Sequence, residues 1–204
     1  MDEKKTALIK RMEALGAHRL AEALYTLSER NESVSNYLSM LVSSKAEALS
    51  RVQNLLESIA CENYFYNYYE SRDLAEQLSA ILEDIRLNIT DPDEGLDIMA
   101  QFFEYDETIF EKCDDSNGEV SHVFSHDAVD LFVAFAARCQ EKKKIAERLL
   151  SLFLESKYGV RTPLLERASE YLAEEQLLAM TEMMEARVKA YDEKDYGRFH
   201  ALRG

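Results

Sequence analysis

Residues 111–120 read EKCDDSNGEV, and Cys113, Asp114 and Asp115 within them are side chains suited to chemistry. A thiol beside two carboxylates could hold a cation or act as a nucleophile. His122 and His126 follow, four residues apart on a predicted helix and within reach of one metal ion. Asp114, Asp115, His122 and His126, in a cluster spanning 114–130, are thus the ligand set of one functional alternative, a metal-dependent hydrolase. A second candidate site is the aromatic block NYFYNYYE, which places Tyr64, Phe65, Tyr66, Tyr68 and Tyr69 within six residues. Its rings could form a partner-binding surface, Tyr64 and Tyr68 foremost, or pack between helices with their hydroxyls outward.

Spacing weakens the catalytic readings. Setting Gly118 at position 6 of an EF-hand loop puts Cys113 at position 1 and Phe124 at position 12, where carboxylates are required. A zincin needs Glu directly after its first His, and Val123 stands there. His126-Asp127 spells the HD dipeptide of metal phosphohydrolases, but those need further ligands on other helices, and His18 is the only histidine upstream of this segment. Glu182-x-x-Glu185 matches half of an all-α nucleotide pyrophosphohydrolase site, without the later ExxD. Neither GxSxG nor a glycine-rich phosphate loop occurs. The acids around Cys113 raise the thiol pKa and deactivate it. No catalytic residue, resident metal or cofactor is assigned.

The elements that position these residues are helical. The 204 residues include only 6 Gly and 2 Pro, and apolar residues recur at helical spacing almost throughout. Leu8, Met12 and Leu15 open the pattern; Leu20, Leu24 and Leu27 follow. Asn31 and Ser33 are candidate caps for the next segment. Ser44-x-x-Glu47 spells a capping box, and Asp91-Pro92-Asp93-Glu94 joins an N-cap, an N1 proline and an acidic first turn. Ser116-Asn117-Gly118-Glu119 reads as another capping box, opening a helix to about Arg138. Thr162-Pro163 predicts a further start with Thr162 as cap, and a last helix spans about 174–190. About ten helices result.

Tyr158-Gly159 with Leu164 recurs as Tyr196-Gly197 with Leu202, an offset of 38 residues, close to helix-pair repeat lengths. Phe153 and Tyr191, and Glu155 and Glu193, precede the copies at matching distances. The second copy stops just after its turn, which reads as a truncated repeat or an unusual terminal cap. The expected fold is a single all-α domain over 1–204, built of antiparallel helix pairs stacked as a short α-solenoid resembling tetratricopeptide or HEAT arrays, with a repeat-like C-terminal half at about 120–204.

Net charge is −15, and eleven acids against the single base Lys112 fall between Asp91 and Val120. Such a field repels nucleic acid and anionic membranes and favours a basic protein partner or cations, unless it is simply a solvated acidic face. Three widely spaced cysteines, Cys61, Cys113 and Cys139, support neither a disulfide framework nor a cysteine zinc site, and fit a reduced cytoplasm. No apolar run reaches membrane-spanning length and no signal core is visible at the N-terminus.

Several segments together resemble a family of uncharacterised bacterial proteins. The start Leu15-Gly16-Ala17-His18-Arg19-Leu20-Ala21-Glu22-Ala23-Leu24 is similar to its LGxxRLAxLL-like opening. Phe65 to Ile85 resembles its aromatic-then-leucine helix, although no tryptophan stands near Tyr68. Glu111, Cys113, Asp114, Asp115, Ser116, Gly118, Val120, Val123 and Phe124 match ExCDDSxGxVxxVF; Tyr158, Gly159 and Leu164 match a later element. The resemblance implies an all-α, repeat-like cytosolic protein and transfers no activity. The leading expectation is a non-enzymatic interaction module with an acidic face, its binding residues Cys113, Asp114, Asp115, Tyr64 and Tyr68.

Overall fold

The structure, a computed structural model, describes residues 3–186, and among them it is all-helical apart from turns and one isolated backbone pairing. Helices α1 (Glu3–Glu13), α2 (Ala17–Ser28), α3 (Glu32–Leu41) and α4 (Lys45–Cys61) lead to the aromatic block. Then come α5 (Ser71–Asn88), α6 (Pro92–Glu104) and a short α7 (Asp106–Phe110). After the CDDSNG loop, α8 (Glu119–His122), a π-helical stretch (Val123–Ala128) and α9 (Val129–Arg138) run on without a break. Next are α10 (Lys142–Leu154), α11 (Thr162–Glu166), a 3₁₀ turn (Ala168–Glu170) and helical residues 174–186. None of the described helices is long and apolar enough to cross a membrane.

The local start signals act largely as their chemistry dictates. Asn31 Oδ1 accepts from the Val34 amide at 3.2 Å, while Ser33 lies inside α3. Ser44 and Glu47 close a reciprocal capping box. Asp91 Oδ1 accepts from the Asp93 and Glu94 amides, both at 3.0 Å, with Pro92 beginning α6. At α11 the expectation shifts by one residue: Arg161 holds the cap position and Thr162 is the first helical residue. Gly159, at φ +74°, makes the preceding turn, from which the Thr162 amide bonds back to the Gly159 carbonyl at 3.0 Å.

The core gathers where three apolar faces meet. α5 contributes Leu74, Leu78, Ile81, Leu82 and Ile85, and α6 contributes Met99, Phe102 and Phe103. Phe124 and Phe132 come from the π stretch and α9. The Phe102 and Phe124 rings lie 5.0 Å apart. Each such side chain, fully buried, stabilises by about 1.5–3 kcal/mol. α6 packs on α9, α4 on α5, and α2 on α3. Asn88 Nδ2 donates to the Met40 carbonyl at 3.0 Å, which ties the end of α3 to α5. The apolar stripes of α1, α2 and α3 do not enter the core: none of the residues described there is buried.

In the 158–164 element, Leu164 is buried and Tyr158 stacks on Phe110, with ring centroids 4.8 Å apart. Its proposed second copy, Tyr191 to Leu202, and residues 187–190 of the expected last helix lie outside the described residues.

Candidate functional site

The two candidate segments, joined through residues 47 apart in sequence, meet in space. The Tyr66 amide donates to the Lys112 carbonyl and the Asp114 amide donates to the Tyr66 carbonyl, each at 2.8 Å, so Cys113 lies parallel to Tyr66. Lys112 explains why the loop comes here. Its ammonium donates to the Ala60 carbonyl and, at 2.6 Å, to that of Glu62, capping the carboxyl end of α4 where a cation is favoured. In the sequence Lys112 stands out only as the lone base of an acidic run, and that was the available signal for this role.

Asp114, Asp115 and Asn117 of the CDDSNG segment each accept from backbone amides. Cys113 is buried, and burial, then the Asp115 and Asp114 charges, pushes its thiol up to about 12, so the thiolate needed for nucleophilic chemistry is suppressed. Asp114 accepts from the Ser116 hydroxyl and, at 3.1 Å, from the Ser116 amide, and these bonds hold its carboxyl below the usual range. Asp115 accepts from the Val120 and Ser121 amides, both at 2.8 Å, and from the Ser121 hydroxyl. Asn117 Oδ1 takes the Glu119 amide at 3.1 Å, while Asn117 Nδ2 reaches Ser71 Oγ at 2.9 Å, at the start of α5.

This arrangement corrects the capping box expected at Ser116–Glu119. Gly118 adopts φ +75°, which adds a left-handed turn before the helix, and Glu119 becomes its first residue rather than its third. Ser116 is committed to Asp114, so Asp115 caps the helix from further upstream. Asp114 and Asp115, which a cap at Ser116 does not require, build the turn through these bonds, and Cys113 is buried beneath it.

The aromatic block divides. Tyr66 is 8% exposed and meets the Tyr64 ring edge-on at 4.9 Å. Tyr64, Phe65, Tyr68 and Tyr69 stay exposed, Tyr69 to 84%. One ring therefore packs inward and four form a ledge. The ledge is braced: the Tyr64 hydroxyl donates to Glu70 Oε1 at 2.6 Å, and the Asn67 amide and Nδ2 donate to Glu70 Oε2 at 3.1 and 2.6 Å. These bonds, Tyr64 first, hold the Glu70 carboxyl below its ordinary range.

The histidine pair stands on the helix that this loop opens, the His122 amide donating to the Gly118 carbonyl at 2.9 Å. His122 and His126 are exposed and stacked, with centroids 4.4 Å apart, and Ser125 Oγ lies 2.8 Å from His126 Nδ1. Among the described residues no group of three or more His, Cys, Asp or Glu side chains is placed to hold a metal ion. The set Asp114, Asp115, His122 and His126 is thus not assembled as ligands, and nothing in this geometry supports the hydrolase alternative.

The acidic field from Asp91 to Val120 is less uniform than its charge suggests. Glu94 pairs with Lys45 at 2.8 Å, Asp97 with Arg148 at 2.6 Å, and Glu107 with Lys157. Asp106, counted in that field, is completely buried and held by Arg161. Asp91, Asp114 and Asp115 serve backbone amides. Asp93, Glu104, Glu111 and Glu119 remain exposed, the last two flanking the CDDSNG loop.

No curated protein and no solved structure matches the chain. A family model does match, over residues 3–203, so the chain belongs to the family of unknown function DUF6880.

Proposed function

We propose that this protein is a non-enzymatic, cytoplasmic protein-interaction module that holds a basic segment of a partner on its aromatic–acidic ledge. The observation that carries the reading is the Tyr66–Cys113 pairing, which joins the segment bearing four exposed rings to the loop flanked by the exposed Glu111 and Glu119. Lysine and arginine bind such a surface twice over, by cation–π contact with ring faces and by ion pairing at the rim. Tyr64 and Tyr68 supply ring surface, while Cys113, Asp114 and Asp115 fix the loop. The Glu70 and Asn67 bonds brace the ledge before a partner arrives, which lowers the ordering cost of binding. Adjacent helix pairs such as α2 with α3 and α4 with α5 suit a short solenoid-like stack presenting this ledge.

The test uses a fluorescent Lys/Arg-rich peptide titrated into the full chain, with a Glu-rich peptide as control. Phe65→Ser with Tyr69→Ser should weaken binding of the basic peptide about tenfold or more while leaving the melting temperature unchanged. Glu111→Lys with Glu119→Lys should weaken it similarly. Equal affinity for both peptides, or no loss in either double variant, overturns the proposal.

A further inference from the structure

A second surface, lined by none of the ledge residues, is complementary to the chain's own first helix. Between α10 and residues 174–186 runs a groove of about 610 Å³. Its apolar lining includes Ala146, Ala179 and Met183; its rim carries Glu147, Glu175 and Glu182, against the single base Lys143. A smaller depression continues from Glu147 past Leu150 and Leu154 to Glu155. Leu154 is exposed, so the apolar strip follows α10 to its end.

Helix α1 has the reverse character. In a chain of net charge −15 it carries four bases, Lys4, Lys5, Lys10 and Arg11, against two acids, Glu3 and Glu13. Leu8, Ile9 and Met12 within it, and Leu15 just beyond it, are all exposed, so α1 presents an apolar strip beside positive charge. Its eleven residues span about 16 Å, and the thirteen from Lys143 to Glu155 along α10 span about 20 Å. Apolar strip would meet apolar groove, and bases would meet the acidic rim. An amphipathic helix laid in a groove is a recurrent mode of recognition.

We propose that the groove between α10 and residues 174–186 receives helix α1 of a second copy of this chain, so that molecules associate head to tail. The contact is heterologous: the donor's own groove and the acceptor's own α1 stay open, and the assembly grows with concentration unless the ring closes. Salt weakens it, because the rim contacts are exposed ion pairs.

Sedimentation equilibrium of the full chain over rising concentration provides the test. The average mass should climb above the 23.5 kDa of one chain. Leu8→Asp with Met12→Asp changes only exposed residues of α1, and Ala179→Asp with Met183→Asp changes only exposed residues of the groove. Each variant alone should stay at the mass of one chain, with unchanged circular dichroism. Mixed one to one they should form a two-chain complex and nothing larger, because one intact α1 and one intact groove remain between them. A wild-type chain that keeps the mass of one chain at every concentration overturns the proposal. So does continued assembly of the groove variant, which would mean α1 pairs with α1. Binding of a monomeric chain to phosphatidylserine vesicles through α1 also overturns it, in favour of a membrane-surface helix. None of these outcomes bears on the ledge.

Discussion

Arg161 grips Asp106 through two parallel hydrogen bonds, Nε to Oδ2 and Nη2 to Oδ1, each 2.7 Å long. Both side chains are buried, and the same guanidinium donates to the Leu152 carbonyl at 3.0 Å and the Phe103 carbonyl at 2.7 Å. One cation thus joins the carboxyl ends of α6 and α10, where helix dipoles favour positive charge. Removing one partner strands the other charge in the core. Asp106→Ala and Arg161→Met should each destabilise by about 3–5 kcal/mol in urea titrations. Asp106→Leu with Arg161→Met should cost well under the sum, because neither charge is then left unpaired. Arg161→Lys keeps the charge but loses the fork, and falls between wild type and Arg161→Met.

Asp115 caps the helix that begins at Glu119, so Asp115→Ala should lower stability by about 1–2 kcal/mol in urea titrations. Ser116→Ala should cost much less, since its hydroxyl serves only the Asp114 turn. A larger loss at Ser116 than at Asp115 would restore the capping box that the sequence suggests.

That contrast marks how far the sequence could be read. The starts at Ser44–Glu47 and Asp91–Pro92 were legible because capping is settled within four residues. The start near Ser116 was misread because Gly118 at φ +75° inserts a turn that no capping pattern encodes. The all-helical class was legible from periodicity, whereas the fate of each apolar stripe was not: Leu74 and Leu78 are buried while Leu8 and Met12 are exposed, at comparable spacing. The ledge itself depends on Tyr66 pairing with Cys113, a contact between segments 47 residues apart, and local pattern carries no information about it. Asp106 looked like one acid among eleven because its partner, Arg161, lies 55 residues away in sequence.

Gly95 on α6 has no unusual backbone need; its role is space. A Cβ built there would lie 2.3 Å from the Phe135 ring on α9, well inside van der Waals contact. Alanine is the better helix former by about 1 kcal/mol, which partly offsets the clash. Overpacking a filled core typically costs about 1–3 kcal/mol, and the Phe135 ring is itself buried, so Gly95→Ala should be net destabilising. Gly95→Ala with Phe135→Leu should recover part of the loss. A rise in melting temperature for Gly95→Ala alone would mean the α6–α9 approach is looser than the structure has it.

The three cysteines should separate by reactivity. Cys61 is exposed, whereas Cys113 and Cys139 are buried. Burial, first among the causes, pushes the Cys113 thiol up to about 12 and the Cys139 thiol up to about 11. With a chromogenic disulfide reagent near pH 8, one thiol per chain should react quickly and the other two only as fast as the protein opens; in urea all three should react at once. The same shifts set a pH dependence. A thiol whose folded pKa is raised favours the fold while it holds its proton. The Cys113 contribution is therefore complete below its ordinary value of 9.0 and declines as pH rises from there toward about 12. Other groups titrate in that window, so the measure is a difference: the urea midpoint of wild type should fall more steeply between pH 9 and 11 than that of Cys113→Ala. Parallel pH profiles, or rapid labelling of a second thiol that is lost in Cys113→Ala, would show that the Tyr66–Cys113 pairing does not shield this side chain.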